Sequence, residues 1–116
     1  MPALSAAKVL TLEVDRSGRD PVVKLHGRLV AGTGDTLSAE VKPLFAGDKR
    51  VILDLTDLTH IDSMGLGTLA RLYVSARSAG CDLALVNLGA QMRRLLGTTN
   101  LLSVFTIVGE HGIKIG

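Results

Sequence analysis

The chain has no tryptophan, one tyrosine, two phenylalanines and a single cysteine in 116 residues. With aromatics at 3%, and with Lys49-Arg50 and Arg93-Arg94 as its only adjacent basic pairs, it has no aromatic interleaving for base stacking, so nucleic-acid binding is disfavoured. The lone Cys81 excludes an internal disulfide and a cysteine metal cluster, and suits a reducing cytoplasm. No apolar run approaches the roughly 20 residues of a membrane helix. Residues 1–7 are too short and too uncharged for a secretory leader. The expectation is a cytoplasmic protein with no membrane insertion. Charge is weakly positive, formally +2, and not gathered in one run.

What remains is aliphatic. A hydrophobic content of 47% fits one domain over residues 1–116, with its core at about 9–108. Residues 9–15 alternate, with Leu10, Leu12 and Val14 on one side and Thr11, Glu13 and Asp15 on the other, as in a half-buried strand. Arg16-Ser17-Gly18-Arg19-Asp20-Pro21 is turn chemistry. Residues 22–29 therefore form a second strand, antiparallel to the first, with His26 on one of its faces. A loop at 31–35 follows, in which Thr33 or Asp35 is a candidate cap. Leu37, Val41, Leu44 and Phe45 then mark one face of a helix. Proline in a helix interior costs about 3 kcal/mol, so this helix is expected to kink at Pro43 or to stop near Lys42.

Residues 50–55 read as a central strand covered on both faces, 56–62 as a loop, and 63–79 as a helix ended by Gly80. A strand at 82–88, a short helix at 90–96 burying Met92, Leu95 and Leu96, and a strand at 104–108 complete the chain. Residues 110–116 are too short and Gly-rich for a further helix. The order of elements predicts an α/β fold: a mixed sheet that opens on an antiparallel hairpin and continues in parallel βαβ units packed with helices.

Chemistry gathers in one segment, His60-Ile61-Asp62-Ser63-Met64-Gly65-Leu66-Gly67. Ser63 has two readings. It is well suited to cap the helix that starts there, its oxygen accepting from free N–H groups of the first turn. It is also a hydroxyl among small residues, placed where a partner or an enzyme can reach it, with Met64 expected to be exposed beside it. Gly65 and Gly67 each cost a helix about 1 kcal/mol relative to Ala. Either a partner approaches the backbone there, or the helix packs tightly on a strand. Three enzymatic or cofactor motifs fail. The residue two before Ser63 is Ile61, so Gly-x-Ser-x-Gly is incomplete. Gly65-Leu66-Gly67 lacks the third glycine of a dinucleotide fingerprint, and no Gly-Lys-Ser/Thr is present. His60 shares a loop with Ser63, and no Ser–His–Asp order is evident.

Asp62-Ser63-Met64-Gly65-Leu66-Gly67 resembles the Asp-Ser-(Ser/Thr)-Gly-Leu-Gly signature of anti-anti-sigma factors, the small bacterial STAS domains that antagonise anti-sigma factors. Gly27-Arg28-Leu29 resembles the Gly-x-Leu element that closes the family's second strand. The stretch from Leu95 to Leu102 resembles its region before the last strand. Val30 stands where the family often has Asp, and Met64 where it has Ser or Thr.

The resemblance implies that Ser63 is the phosphoacceptor and that the protein is a substrate and not an enzyme, with no cofactor or metal of its own. Its implied partners are an anti-sigma factor, which is a serine kinase of the GHKL ATPase type, and a serine phosphatase that resets the switch. Asp57, Thr59, His60, Asp62, Ser63, Met64 and Gly65 would form the partner surface. Thr68 is a second hydroxyl in the same helix, read first as a satisfied helix residue. Two other functions compete: a non-phosphorylated STAS scaffold or transporter-associated module, and a small-molecule binder using the loops at the carboxyl ends of the parallel strands.

Overall fold

The computed structural model describes residues 9–100, 105–108 and 114–115. The side chains of 106–108 and 114–115 are outside that description, as are residues 1–8 and the expected strand start at Val104. Strands β1 (Leu10–Asp15) and β2 (Val22–Leu29) pair antiparallel, with Leu10 opposite Gly27 and Asp15 opposite Val22. The short turn chemistry between them dictates that hairpin. Gly27 is required where the two strands meet. Its φ is +112°, and a side chain there would run into the Val9 carbonyl oxygen.

Helix α1 (Gly34–Phe45) leads to β3 (Arg50–Ile61), then α2 (Ser63–Ser78), β4 (Asp82–Val86), α3 (Ala90–Thr98), β5 (Thr106–Val108) and β6 (Lys114–Ile115). The six strands lie in the sheet in chain order, β1-β2-β3-β4-β5-β6. The β2–β3, β3–β4 and β4–β5 pairs are parallel, and the two outer pairs are antiparallel. The mixed α/β sheet with its opening hairpin is as the sequence predicts. Strand β6 is an addition that the short Gly-rich tail did not suggest.

Val51, Leu53 and Leu55 of β3 are buried, while Ile52 and Asp54 between them are only half covered. The central strand is thus sealed on one face, not on both. Val23 and Leu25 of β2 and Leu83 and Leu85 of β4 join that face, and Leu37, Val41, Leu66, Leu69 and Leu72 of α1 and α2 lie against it in one aliphatic core. The other face is polar near β1 and β2. There His26 sets Nδ1 3.1 Å from Asp57 and Nε2 3.3 Å from Glu13, linking three strands. Burial fades along the edge strand β1, from Leu10 at 4% exposed to Val14 at 39%.

Two expectations change. Helix α1 does not stop at Lys42; it runs through Pro43 to Phe45. Phe45 is buried, and burying such a side chain is worth about 1.5–3 kcal/mol, comparable to the proline's cost. Strand β3 does not end at Leu55 but continues to Ile61, so residues 56–61 are strand and not loop. Lys24 and His26 pair with Asp54 and Asp57, and Gly27 and Arg28 with Leu58 and His60. In each interval β3 holds one residue more than β2, which is the arithmetic of a β-bulge. Each bulge turns the strand, so its apolar residues Leu55, Leu58 and Ile61 recur every third position instead of every second. Thr59, in the second interval, donates its hydroxyl to the Gly27 carbonyl at 2.9 Å.

Candidate phosphoacceptor site

The bulged end of β3 delivers the chain to α2 beside the end of β2. The N-cap of α2 is Asp62, not Ser63. Asp62 is extended (φ −115°, ψ −176°), and its Oδ1 accepts from the Gly65 N–H at 2.8 Å. Its Oδ2 accepts from the Ala31 N–H at 3.1 Å, tying the β2–α1 loop to the helix start. The Gly65 N–H bond, with others from the backbone, holds the Asp62 carboxyl below its ordinary range. A carboxylate caps at least as well as a hydroxyl, so the aspartate takes the role and displaces the serine by one residue.

Ser63 is therefore the first residue of α2, exposed, and its hydroxyl has no hydrogen-bond partner among the described residues. Met64 beside it is 58% exposed. His60 and Thr59 are exposed on the adjoining strand end, their side chains 3.3 Å apart. Thr59, His60, Asp62, Ser63 and Met64 thus come from one continuous strand–cap–helix junction.

Of the other two expected surface residues, Asp57 is exposed but further back along β3, and Gly65 is buried. Asp57 precedes Ile61 by four residues, about 13 Å of strand, and its carboxylate is held to His26 on the polar face of the sheet. Gly65 is buried and lies beneath the surface. A side chain at Gly65 would collide with the Leu29 carbonyl oxygen, the same oxygen that accepts the Asp62 N–H at 3.3 Å. Tight helix–strand packing is what this glycine serves. At the far end of α2, the Cys81 N–H reaches the Ala76 carbonyl at 2.8 Å and the Gly80 N–H the Arg77 carbonyl at 3.0 Å. With Gly80 at φ +76° this is the Schellman closure expected of a C′ glycine.

Thr68 is 3% exposed, and its hydroxyl donates to the Met64 carbonyl at 3.2 Å while accepting from Arg71 Nη2 at 3.2 Å. Val30, at the position where the family often has Asp, borders a cleft of about 170 Å³ shared with Gly32, Asp35, Met64, Thr68 and Arg71. No hydrogen bond joins His60 to Ser63 among the described residues, so the junction holds an acceptor hydroxyl without an adjacent imidazole base. A second concavity, about 500 Å³, lies where β3 runs on past β4, between Leu55, Leu58, His60, Asn87, Leu88 and Met92. Asn87 there adopts φ +60° and donates to Asp54 at 3.1 Å. Burial pushes the Asp54 carboxyl up, but bonds from Thr56 and Asn87 outweigh it and the net direction is down.

A mixed sheet with helices, presenting an exposed serine on the first turn of one of them, defines a small α/β domain. The chain belongs to the STAS domain family, which matches residues 11–112. It is 24% identical over 107 residues to the anti-sigma-B factor antagonist of Bacillus subtilis, covering 90% of this chain and 98% of that protein. Its fold is that of an anti-sigma factor antagonist from Mycobacterium paratuberculosis, with a TM-score of 0.74, 23% identity and 84% of each chain covered. The phosphorylated form of the Bacillus cell fate determinant SpoIIAA has a TM-score of 0.67 at 17% identity, covering 87% of this chain and 94% of the other.

Proposed function

We propose that this protein is an anti-sigma factor antagonist switched off by phosphorylation of Ser63. The unmodified junction, Thr59 to Met64, docks on an anti-sigma factor and so frees the sigma factor that partner holds. The partner is also a GHKL-type serine kinase. It transfers the γ-phosphoryl group of its ATP to Ser63: the bond to the ADP oxygen breaks, the bond to Ser63 Oγ forms, and the hydroxyl proton leaves to the kinase. A serine phosphatase hydrolyses the ester and restores the docking surface. The observation that carries this reading is the free, exposed hydroxyl of Ser63, released from capping by Asp62. Similarity to named antagonists along nearly the whole chain supports it.

Local electrostatics suffice for the switch. A phosphoserine brings about −1.5 to −2 charges next to the Asp62 carboxylate. Burying such a group in an interface without a partner costs several kcal/mol, and about 2.7 kcal/mol is a hundredfold in affinity. The fold itself need not move. The test is binding to the anti-sigma factor by calorimetry. Ser63→Ala is expected to bind like wild type and Ser63→Asp at least tenfold more weakly. Equal binding by both variants would sink the switch and leave the domain as an assembly module.

A further inference from the structure

Gly67 has no packing reason of the kind that explains Gly65. Apart from its chain neighbours and the backbone of its own helix, the sole described atom within 4 Å of a Cβ added there is Nη1 of Arg71, at 3.4 Å. The Arg71 guanidinium therefore lies folded back over Gly67 toward the start of α2, the direction in which helical side chains lean. Ser63, Gly67 and Arg71 are spaced by four and share one stripe of the helix. At 1.5 Å per residue, Gly67 stands about 6 Å along the axis from Ser63. A phosphoester on Ser63 Oγ followed by one charge-assisted hydrogen bond of about 2.8 Å can bridge such a gap.

Arg71 is uncommitted at present. Its one bond goes to the neutral Thr68 hydroxyl at 3.2 Å, and it makes no ion pair among the described residues. A hydrogen bond between two ions is roughly twice as strong as a neutral one, so a phosphate at Ser63 would draw the guanidinium away from Thr68.

We propose that Arg71 is the receptor for the phosphate on Ser63, and that glycine at position 67 keeps its path open. This rests on the reading of Ser63 as the phosphoacceptor. Modification then does two things to the docking surface: it adds an anion, and it withdraws into an internal ion pair a cation that the unmodified form presents. The titratable and charged groups nearest in the fold are Asp62 before it, Asp35 across the cleft shared with Arg71, and Arg28 and His60, which pair at the adjoining strand ends.

The test needs no kinase. Phosphoserine is installed at position 63 of the full chain during translation by genetic-code expansion, and its second ionisation is followed by phosphorus NMR. The midpoint in Arg71→Gln is expected about half a pH unit above that of the Arg71 protein, a threefold change in ionisation constant. Gly67→Leu keeps the charge but obstructs its path and is expected to move the midpoint in the same direction. Arg77→Gln, which removes an exposed cation further along α2, is expected to leave it in place. Equal midpoints with and without Arg71 overturn the proposal, as does an Arg77→Gln shift of the same size. A Gly67→Leu protein that titrates unchanged overturns the role given to Gly67. Failure to find any kinase partner would defeat the switch but leave this titration standing, so the two failures are separable.

Discussion

Ser63 and Thr68 are hydroxyls five residues apart on the same helix, and their situations are opposite. Thr68 is 3% exposed and engaged as both donor and acceptor; Ser63 is exposed and engaged as neither. Helical position alone does not produce this. Thr68 faces α1, where Gly34 leaves just enough room for its hydroxyl. Ser63 stands in the turn where an N-capping serine would bond to the backbone, but Asp62 already fills that role. The Ser63 hydroxyl is left unengaged here because its neighbour takes the structural task.

The contrast can be broken in steps. The largest effect is expected from Gly65→Ala, which forces a methyl group against the Leu29 carbonyl and pushes the first turn of α2 off β2. Overpacking of this kind costs about 1–3 kcal/mol, read as a lower urea midpoint at unchanged slope. Asp62→Ala comes next. It removes the cap and the tie to Ala31 together, and should lower the thermal midpoint by several degrees while giving the Ser63 hydroxyl a backbone donor to accept from. Asp62→Asn should keep the cap and sharpen the point through pH. The folded Asp62 carboxyl titrates below its ordinary value, so its contribution is full above about pH 4 and is lost as pH falls through the lower folded value. Acid melting of Asp62→Asn should lack that portion. The smallest pair compares the hydroxyls directly. Thr68→Val should cost about 1 kcal/mol, and Ser63→Ala should stay within about 0.5 kcal/mol of wild type. Equal costs would erase the distinction.

Much of this was readable from residue order. Alternation at Leu10, Leu12 and Val14, the Asp20-Pro21 turn and the apolar 51–55 run place the hairpin and the central strand. Gly80 marks the end of α2 as written. The second half of β3 was not legible, because bulges change the apolar period from two to three, and a period of three looks like neither strand nor helix. The cap was assigned one residue late. Asp62 and Ser63 are both good caps, and the choice turned on the Leu29 carbonyl and the Ala31 N–H, which lie more than thirty residues away in sequence. Within the expected docking set, Gly65 is buried, and the exposed Asp57 meets His26 beside a bulge that sequence does not announce. The position of Arg71 over Gly67 has no signal in the sequence beyond a glycine that packing leaves unexplained.

The sheet order has a consequence for how the chain is made. Every strand from β1 to β6 lies beside the one that precedes it in sequence, so no later strand has to be inserted between two earlier ones. Each emerging strand meets an edge already built, even though the parallel pairs such as Val22–Ile52 and Arg50–Asp82 join residues about thirty apart. A ribosome extruding the chain from its N-terminus would complete β2 and its Leu29 carbonyl before Gly65 appears. The seat for the helix that carries Ser63 is thus in place by the time that helix leaves the exit tunnel.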